Sequence, residues 1–166
     1  MDAEGTITHR CDQFAPGVYM TRWRTDDTGL TCTDGPAAQW CHDDEVVYRA
    51  VTLGVRDYVE KNHFKGVVIG LSGGVDSALP AAIAVDALGA DRVRCVMMPS
   101  RYTGAESLED ASACAVALGV QLNEVSIAPG VAAMDAMLAP LFEGNVPDTT
   151  EENIQSRLRG MTLMAI

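Results

Sequence analysis

Three times along this chain a short apolar run leads through a glycine-containing loop into a helical repeat, and that alternation restricts the fold more than any other feature. The first unit is the clearest. Gly66-Val67-Val68-Ile69-Gly70-Leu71 is a β-branched run bounded by glycines, the pattern of a strand buried on both faces of a parallel sheet. An alanine-rich segment from Ser77 to Leu88 follows and stops at Gly89, a natural residue just past a helix end. The second unit pairs the run Val93 to Met98 with a helix from Ala105 to Leu118, whose Leu108, Ala111, Ala115 and Leu118 share one face before Gly119. The third pairs Leu122 to Ile127, where alternation slips at Glu124, with a helix carrying Val131, Met134, Leu138 and Leu141 on one face. Strands alternating with helices predict an α/β fold, a doubly wound parallel sheet of Rossmann-like type with right-handed crossovers. Ligands of such sheets collect beyond the carboxyl ends of the strands, where loops 72–77 and 99–104 fall.

The flanks read differently. Val47, Ala50, Val51, Gly54, Val55 and Tyr58 recur at helical spacing from about residue 44 to 62, behind the acids Asp43, Asp44 and Glu45 at the positive end of the helix dipole. Residues 1–43 show neither period and read as an irregular arm. Its isolated Trp23 and Trp40 suggest packing against something, such as a neighbouring domain, or else solvent-exposed remnants. At the other end, residues 149–166 predict a helix with Thr150 as its cap, Glu151 and Glu152 in its first turn, and Ile154, Leu158, Met161 and Ala165 on one face. Apolar Met164-Ala165-Ile166 follows without a stop signal, so the expectation is a C-terminally truncated sheet with more chain in the parent protein.

Composition excludes several functions. With 48% apolar and 21% charged residues the chain can bury a core. Its 12 basic against 23 acidic side chains, a net charge of −11, oppose a broad nucleic-acid footprint, which needs many cations on phosphates. No signal-peptide pattern opens the sequence and Asp86 interrupts the most apolar stretch, so no membrane association and a cytoplasmic location are expected. Cys11, Cys32, Cys41, Cys95 and Cys114 form no C-x-x-C pair, which argues against structural zinc and a disulfide framework. Cys95 and Cys114 read as small buried residues of a strand and a helix.

The chemistry sits between the first strand and its helix, in Gly70-Leu71-Ser72-Gly73-Gly74-Val75-Asp76-Ser77. Adjacent glycines let the backbone approach a ligand, and the amides of loop and first turn converge as a phosphate nest. Ser72 and Ser77 add hydroxyls, and Asp76 suits a Mg²⁺ that accompanies a polyphosphate. A Walker loop fails because no lysine follows Lys65, and a dinucleotide fingerprint fails because Ser72 occupies its second glycine position. Gly70-Leu71-Ser72-Gly73-Gly74 does satisfy the G-x-S-x-G elbow of α/β-hydrolases. That fold requires a histidine after the serine, whereas His9, His42 and His63 all precede it.

The remaining pattern, S-G-G-x-D-S after a buried strand, resembles the signature of the PP-loop ATP pyrophosphatases, whose sheet is of the adenine nucleotide alpha hydrolase type. GLSGGVDSALPAAIAVDALG, VMMPSRYTG and DTTEENIQSRLRGMTLMAI resemble the synthetase domain of the NAD synthetase family, and VYRAVTLGVRDYVEKNHFKGVVIG resembles its glutamine-dependent form. The resemblance covers residues 44–166 and makes residues 1–43 the tail of a nitrilase-like glutaminase domain, or a linker, without that domain's catalytic residues. It implies ATP-dependent amidation of deamido-NAD through an adenylate, with AMP and pyrophosphate released and ammonia drawn from glutamine or free in solution. It also implies a homo-oligomer. Gly70 to Ser77 and Arg101 would then bind ATP and its pyrophosphate, Asp76 would ligate Mg²⁺, and Asn153 and Arg157 would face deamido-NAD. Other PP-loop enzymes, such as those that aminate XMP or thiolate tRNA, and a hydrolase using Ser72 are the competing readings. Two positions depart from the family pattern: Pro80, which falls in the first turn of a helix beginning at Ser77, and Gly104, where a serine is usual.

Overall fold

The computed structural model describes residues 6–27, 29–142 and 149–166, and the chain divides into two compact units, Met1–Leu53 and Gly54–Ile166. In the first unit, strands β1 (Arg22–Asp26) and β2 (Gly29–Asp34) pair antiparallel, with Trp23 opposite Cys32 and Asp26 opposite Gly29. The arm expected to be irregular thus contains a hairpin. Neither strand shows alternation because both are largely exposed, so no burial pattern marks them in the sequence. Gly29 takes φ +122, open to glycine and strained for other residues. The tryptophans pack within the arm: Trp23 meets the His9 ring edge-on at 5.7 Å, and the Arg10 guanidinium lies 4.2 Å over the Trp40 ring. A bridge between Arg10 and Ala37 ties the arm's beginning to its end.

Helix α1 (Asp43–Lys61) leads from one unit into the other and carries the expected acids in its first turn. The second unit holds a parallel sheet in which β4 (Val93–Met97) lies between β3 (Val67–Gly70) and β5 (Gln121–Glu124). Helices α2 (Val75–Leu88), α3 (Ala105–Leu118), α4 (Ala128–Phe142) and α5 (Thr149–Met164) complete it. Successive β4 side chains point to opposite faces. Val93, Cys95 and Met97 join Ala81 and Ala84 of α2 and Ala111 and Ala115 of α3 in one core. Val96 and Met98 join Ile127 and Val131 in a second, against which Leu158 and Leu163 of α5 pack. Fully burying Val96 or Leu71 contributes about 1.5–3 kcal/mol each. Because β3, β4 and β5 lie in chain order, both crossover helices α2 and α3 cover the same face, and α4 and α5 cover the other. The expected α/β class, a parallel sheet with helices on both sides, is what the chain adopts.

Three boundaries move. Strand β5 ends at Glu124, where alternation slipped, although the chain stays beside β4 through Val125 N donating to Met97 O at 2.9 Å and Ile127 N to Pro99 O at 3.0 Å. Helix α2 begins at Val75, not Ser77, so Pro80 lies in its second turn rather than its first. There it deprives the Asp76 carbonyl of an i+4 donor. Thr150, expected as a cap, lies inside the first turn of α5.

All five cysteines are free, and no helix among the described residues is long and apolar enough to cross a membrane. Burial, with a smaller contribution from Cys114, pushes the Cys95 thiol above its ordinary value of 9.0. Folding therefore favours the protonated thiol; stability from this group is complete below that value and falls as pH climbs toward the raised one. Urea denaturation at about pH 8 and about pH 10 should show a smaller alkaline loss of stability for Cys95→Ala than for the wild type. Restoring the missing helical bond by Pro80→Ala should raise unfolding free energy by about 1 kcal/mol, read from the urea midpoint at constant slope.

Candidate functional site

The site is built where β3 ends. Leu71, buried to 2% exposure, continues the ladder by donating its amide to Val96 O at 2.9 Å, and the chain then turns. Ser77 Oγ holds that turn together. It accepts the Ser72 amide at 3.1 Å, donates to Gly74 O at 2.8 Å, and stands 3.1 Å from Ser72 Oγ. Ser72 Oγ in turn accepts the Gly74 amide at 3.4 Å. Gly74 caps α2 in an extended conformation with no side-chain capping bond.

These bonds decide which amides remain open. Ser72 N and Gly74 N have partners inside the loop, and Ser77 N and Ala78 N both reach Gly74 O. Among the described residues, no partner engages the amides of Gly73, Val75 and Asp76. Three donors at the positive end of a helix dipole make an anion site. Ser77, expected as a hydroxyl donor to the ligand, works here mainly as the internal strut that orients them.

The two glycines serve different ends. Gly73 takes φ +86, and a Cβ there would meet Ser107 O of α3 at 2.5 Å and Asp110 Cβ at 3.2 Å. The loop therefore rests directly on the first turn of α3. Gly74 has ordinary φ, and a Cβ there would meet only Ser72 Oγ at 3.6 Å. Its missing side chain leaves space on the ligand side.

The loop opens into a cavity of about 650 Å³ beyond the carboxyl ends of β3 and β4, where a parallel sheet places ligands. Gly70, Leu71, Ser72 and Gly74 line one wall. Tyr102, Thr103 and Gly104 line another, from a turn in which Thr103 N donates to Ser100 O and Thr103 Oγ1 accepts from Ser100 N. A Cβ on Gly104 would meet nothing within 4 Å, so a serine side chain would have room there. Arg159 and Leu163 of α5 supply the rest.

Not every expected residue joins this cavity. Arg101 is exposed, bonds Asp135 Oδ2 through Nη2 at 3.3 Å, and lies 4.9 Å over the Tyr102 ring, so it faces α4 instead of the cavity. Asn153 and Arg157 are exposed on α5 and do not line it. The inward face of α5 runs through Gln155, which is buried, then Leu158, Arg159 and Leu163; Met161, expected on the buried face, is 65% exposed. Apolar periodicity could not find Arg159, because a charged residue that lines a cavity adds nothing to an apolar stripe. Its i+4 relation to the buried Gln155 becomes informative only once burial is known.

Two chemistries can be judged from the geometry. Ser72 Oγ has only Ser77 Oγ and Gly74 N as hydrogen-bond partners, and His63, the histidine of the second unit, is absent from the cavity wall, so no base stands beside this serine among the described residues of that unit. Asp76 is exposed in the first turn of α2 without an ion pair among the described residues. No group of three potential metal ligands occurs among those residues. One free carboxylate beside a phosphate nest does suit Mg²⁺, which takes one or two protein carboxylates and completes its shell with phosphate oxygens and water.

A family model described as NAD synthase matches residues 47–166. The glutamine-dependent NAD(+) synthetase of Rhodobacter capsulatus is 57% identical over 124 residues, covering 75% of this chain and 22% of the relative. That of Xylella fastidiosa strain 9a5c is 53% identical over 157 residues, covering 92% and 29%. Among solved structures, glutamine-dependent NAD+ synthetase from Acinetobacter baumannii, in complex with adenosine diphosphate, superposes with a TM-score of 0.80 at 41% identity, over 87% of this chain and 27% of that one. The chain thus spans less than a third of the length of these relatives.

The glycines separate folding from binding. Gly73→Ala should lower the unfolding free energy by about 2 kcal/mol or more through strain and collision with α3. Gly74→Ala should unfold like the wild type yet lose nucleotide affinity in calorimetry. Equal behaviour of the two variants would contradict this division.

Proposed function

This chain belongs to the NAD synthase family, and on that premise we propose that the protein carrying it is a glutamine-dependent ligase that amidates deamido-NAD to NAD, driven by ATP. The nicotinate carboxylate attacks the α-phosphate, pyrophosphate departs, and ammonia displaces AMP from the adenylate. Little covalent work falls to side chains; the site must align two nucleotides and stabilise charge on the leaving group.

The observation that carries this reading is the set of open amides at Gly73, Val75 and Asp76, held by the Ser77 hydroxyl at the mouth of the cavity. They receive the diphosphate of ATP as its charge grows, and the protein's geometry is in place before reaction, so reorganisation costs little. Asp76 is the residue that would hold Mg²⁺, which neutralises the phosphate chain when bound. The wall formed by Tyr102 to Gly104 and Leu71 flanks the nucleoside. Arg101 reaches phosphate by exchanging Asp135 for it, and the exposed face of α5 with Asn153 and Arg157 receives deamido-NAD. The nitrogen comes from glutamine through a glutaminase domain preceding residue 44, in a cytoplasmic homo-oligomer.

The test is deamido-NAD-dependent exchange of labelled pyrophosphate into ATP in the full protein. Asp76→Asn should reduce exchange about a hundredfold or more, a loss comparable to removing a preorganised electrostatic partner. Unchanged exchange would remove Asp76 from the site, and exchange supported by XMP in place of deamido-NAD would transfer the protein to the aminating PP-loop enzymes.

A further inference from the structure

We infer that Arg159 is a phosphate-binding residue of the cavity, donating its guanidinium fork to the nucleotide's phosphate chain opposite the loop amides. The inference rests on the nucleotide reading above and adds to it a group on α5 that lies away from the S-G-G-x-D-S segment.

The argument begins with charge. The chain carries a net charge of −11, and the loop adds Asp76 to the very place a polyanion must bind. A Mg²⁺ at Asp76 would offset only part of the charge of a nucleotide triphosphate, which stays a net anion, so a positive charge on the cavity wall would stabilise it further. Arg101, the cation expected there, is bonded to Asp135 and must give up that ion pair before it can reach phosphate. Among the described residues, Arg159 is the one cation that lines the cavity.

Its setting suits that role. Arg159 is half-buried and its Nε donates to Met98 O at 3.4 Å, on the strand end beside the cavity. That bond fixes the guanidinium plane while leaving Nη1 and Nη2 for a ligand. No carboxylate among the described residues pairs with it, unlike Arg22, Arg24, Arg49, Arg92 and Arg101, each of which has one. The stem is held too: one turn further along α5, Leu163 Cδ1 sits 3.3 Å from where a Gly70 Cβ would be, which places this face of the helix against the end of β3. A planar fork, anchored by one nitrogen and free at two, matches the geometry of phosphate oxygens.

The competing explanation is that Arg159 merely props the Met98 carbonyl, and the two roles separate by ligand. Calorimetry on the full protein would compare Mg·ATP with adenosine for the wild type, Arg159→Met and Arg159→Lys. Removing a charge-assisted fork should weaken Mg·ATP by about 10- to 100-fold in the Met variant. The Lys variant should recover part of this, while adenosine affinity stays within about twofold in both. Equal weakening of ATP and adenosine would reduce Arg159 to a structural prop, and unchanged ATP affinity would remove it from the site. So would a rise confined to the KM of deamido-NAD. If Arg159→Met does not fold, the Lys variant alone decides, by whether its loss falls on ATP and spares adenosine. Failure of the wild type to bind Mg·ATP would instead overturn the nucleotide reading itself.

Discussion

Strand β4 is buried on both faces, and the position of everything functional follows from that. Cys95 and Met97 enter one apolar core while Val96 and Met98 enter the other, so the strand can neither slide nor rotate without exposing one set or the other. Its register with β3 places the Leu71 amide on Val96 O. From that bond the chain has no further ladder to follow and turns into the glycine loop. The loop's own hydrogen bonds then need only orient amides within a frame that apolar burial has already located.

Within that frame, side chains divide into those that shape the nest and those that face the ligand. Ser77 belongs to the first group, since both its accepting and donating capacities are engaged by Ser72 and Gly74. Gly73 belongs there as well, because its positive φ and its contact with Ser107 let the loop lie flat on α3. Gly74, Asp76 and the open amides are the groups that would face the proposed nucleotide. An enzyme that relies on positioning and electrostatics needs such a rigid nest, for donors that must reorient during reaction lose most of their stabilising effect.

Several errors of sequence reading share a cause. The hairpin of the arm was illegible because β1 and β2 bury almost nothing, so their residues carry no alternation. The inward face of α5 was misplaced because two residues that are not apolar, Gln155 and Arg159, lie on it and interrupt the periodicity that a wholly apolar contact would impose. Arg101 follows a strand in a ligand-facing loop, and only the tertiary placement of Asp135 on α4 shows that its guanidinium is paired with a carboxylate. In each case the missing information was which surface a residue meets, a quantity local periodicity reports only when that surface is uniformly oily.

What the amino-acid order settled by itself was the succession of strands and helices, the parallel sheet, and the place of the S-G-G-x-D-S turn between the first strand of that sheet and its helix. Each of these depends on interactions between near neighbours: β-branched runs, glycine stops, and hydroxyl and amide groups within six residues of one another. What only the tertiary structure decided was which amides stay open, which glycine is demanded by packing against α3, and which arginine enters the cavity. Those outcomes depend on contacts between α3, α5 and the sheet, made by residues far apart along the chain. Such contacts leave no mark in local spacing until folding brings them together.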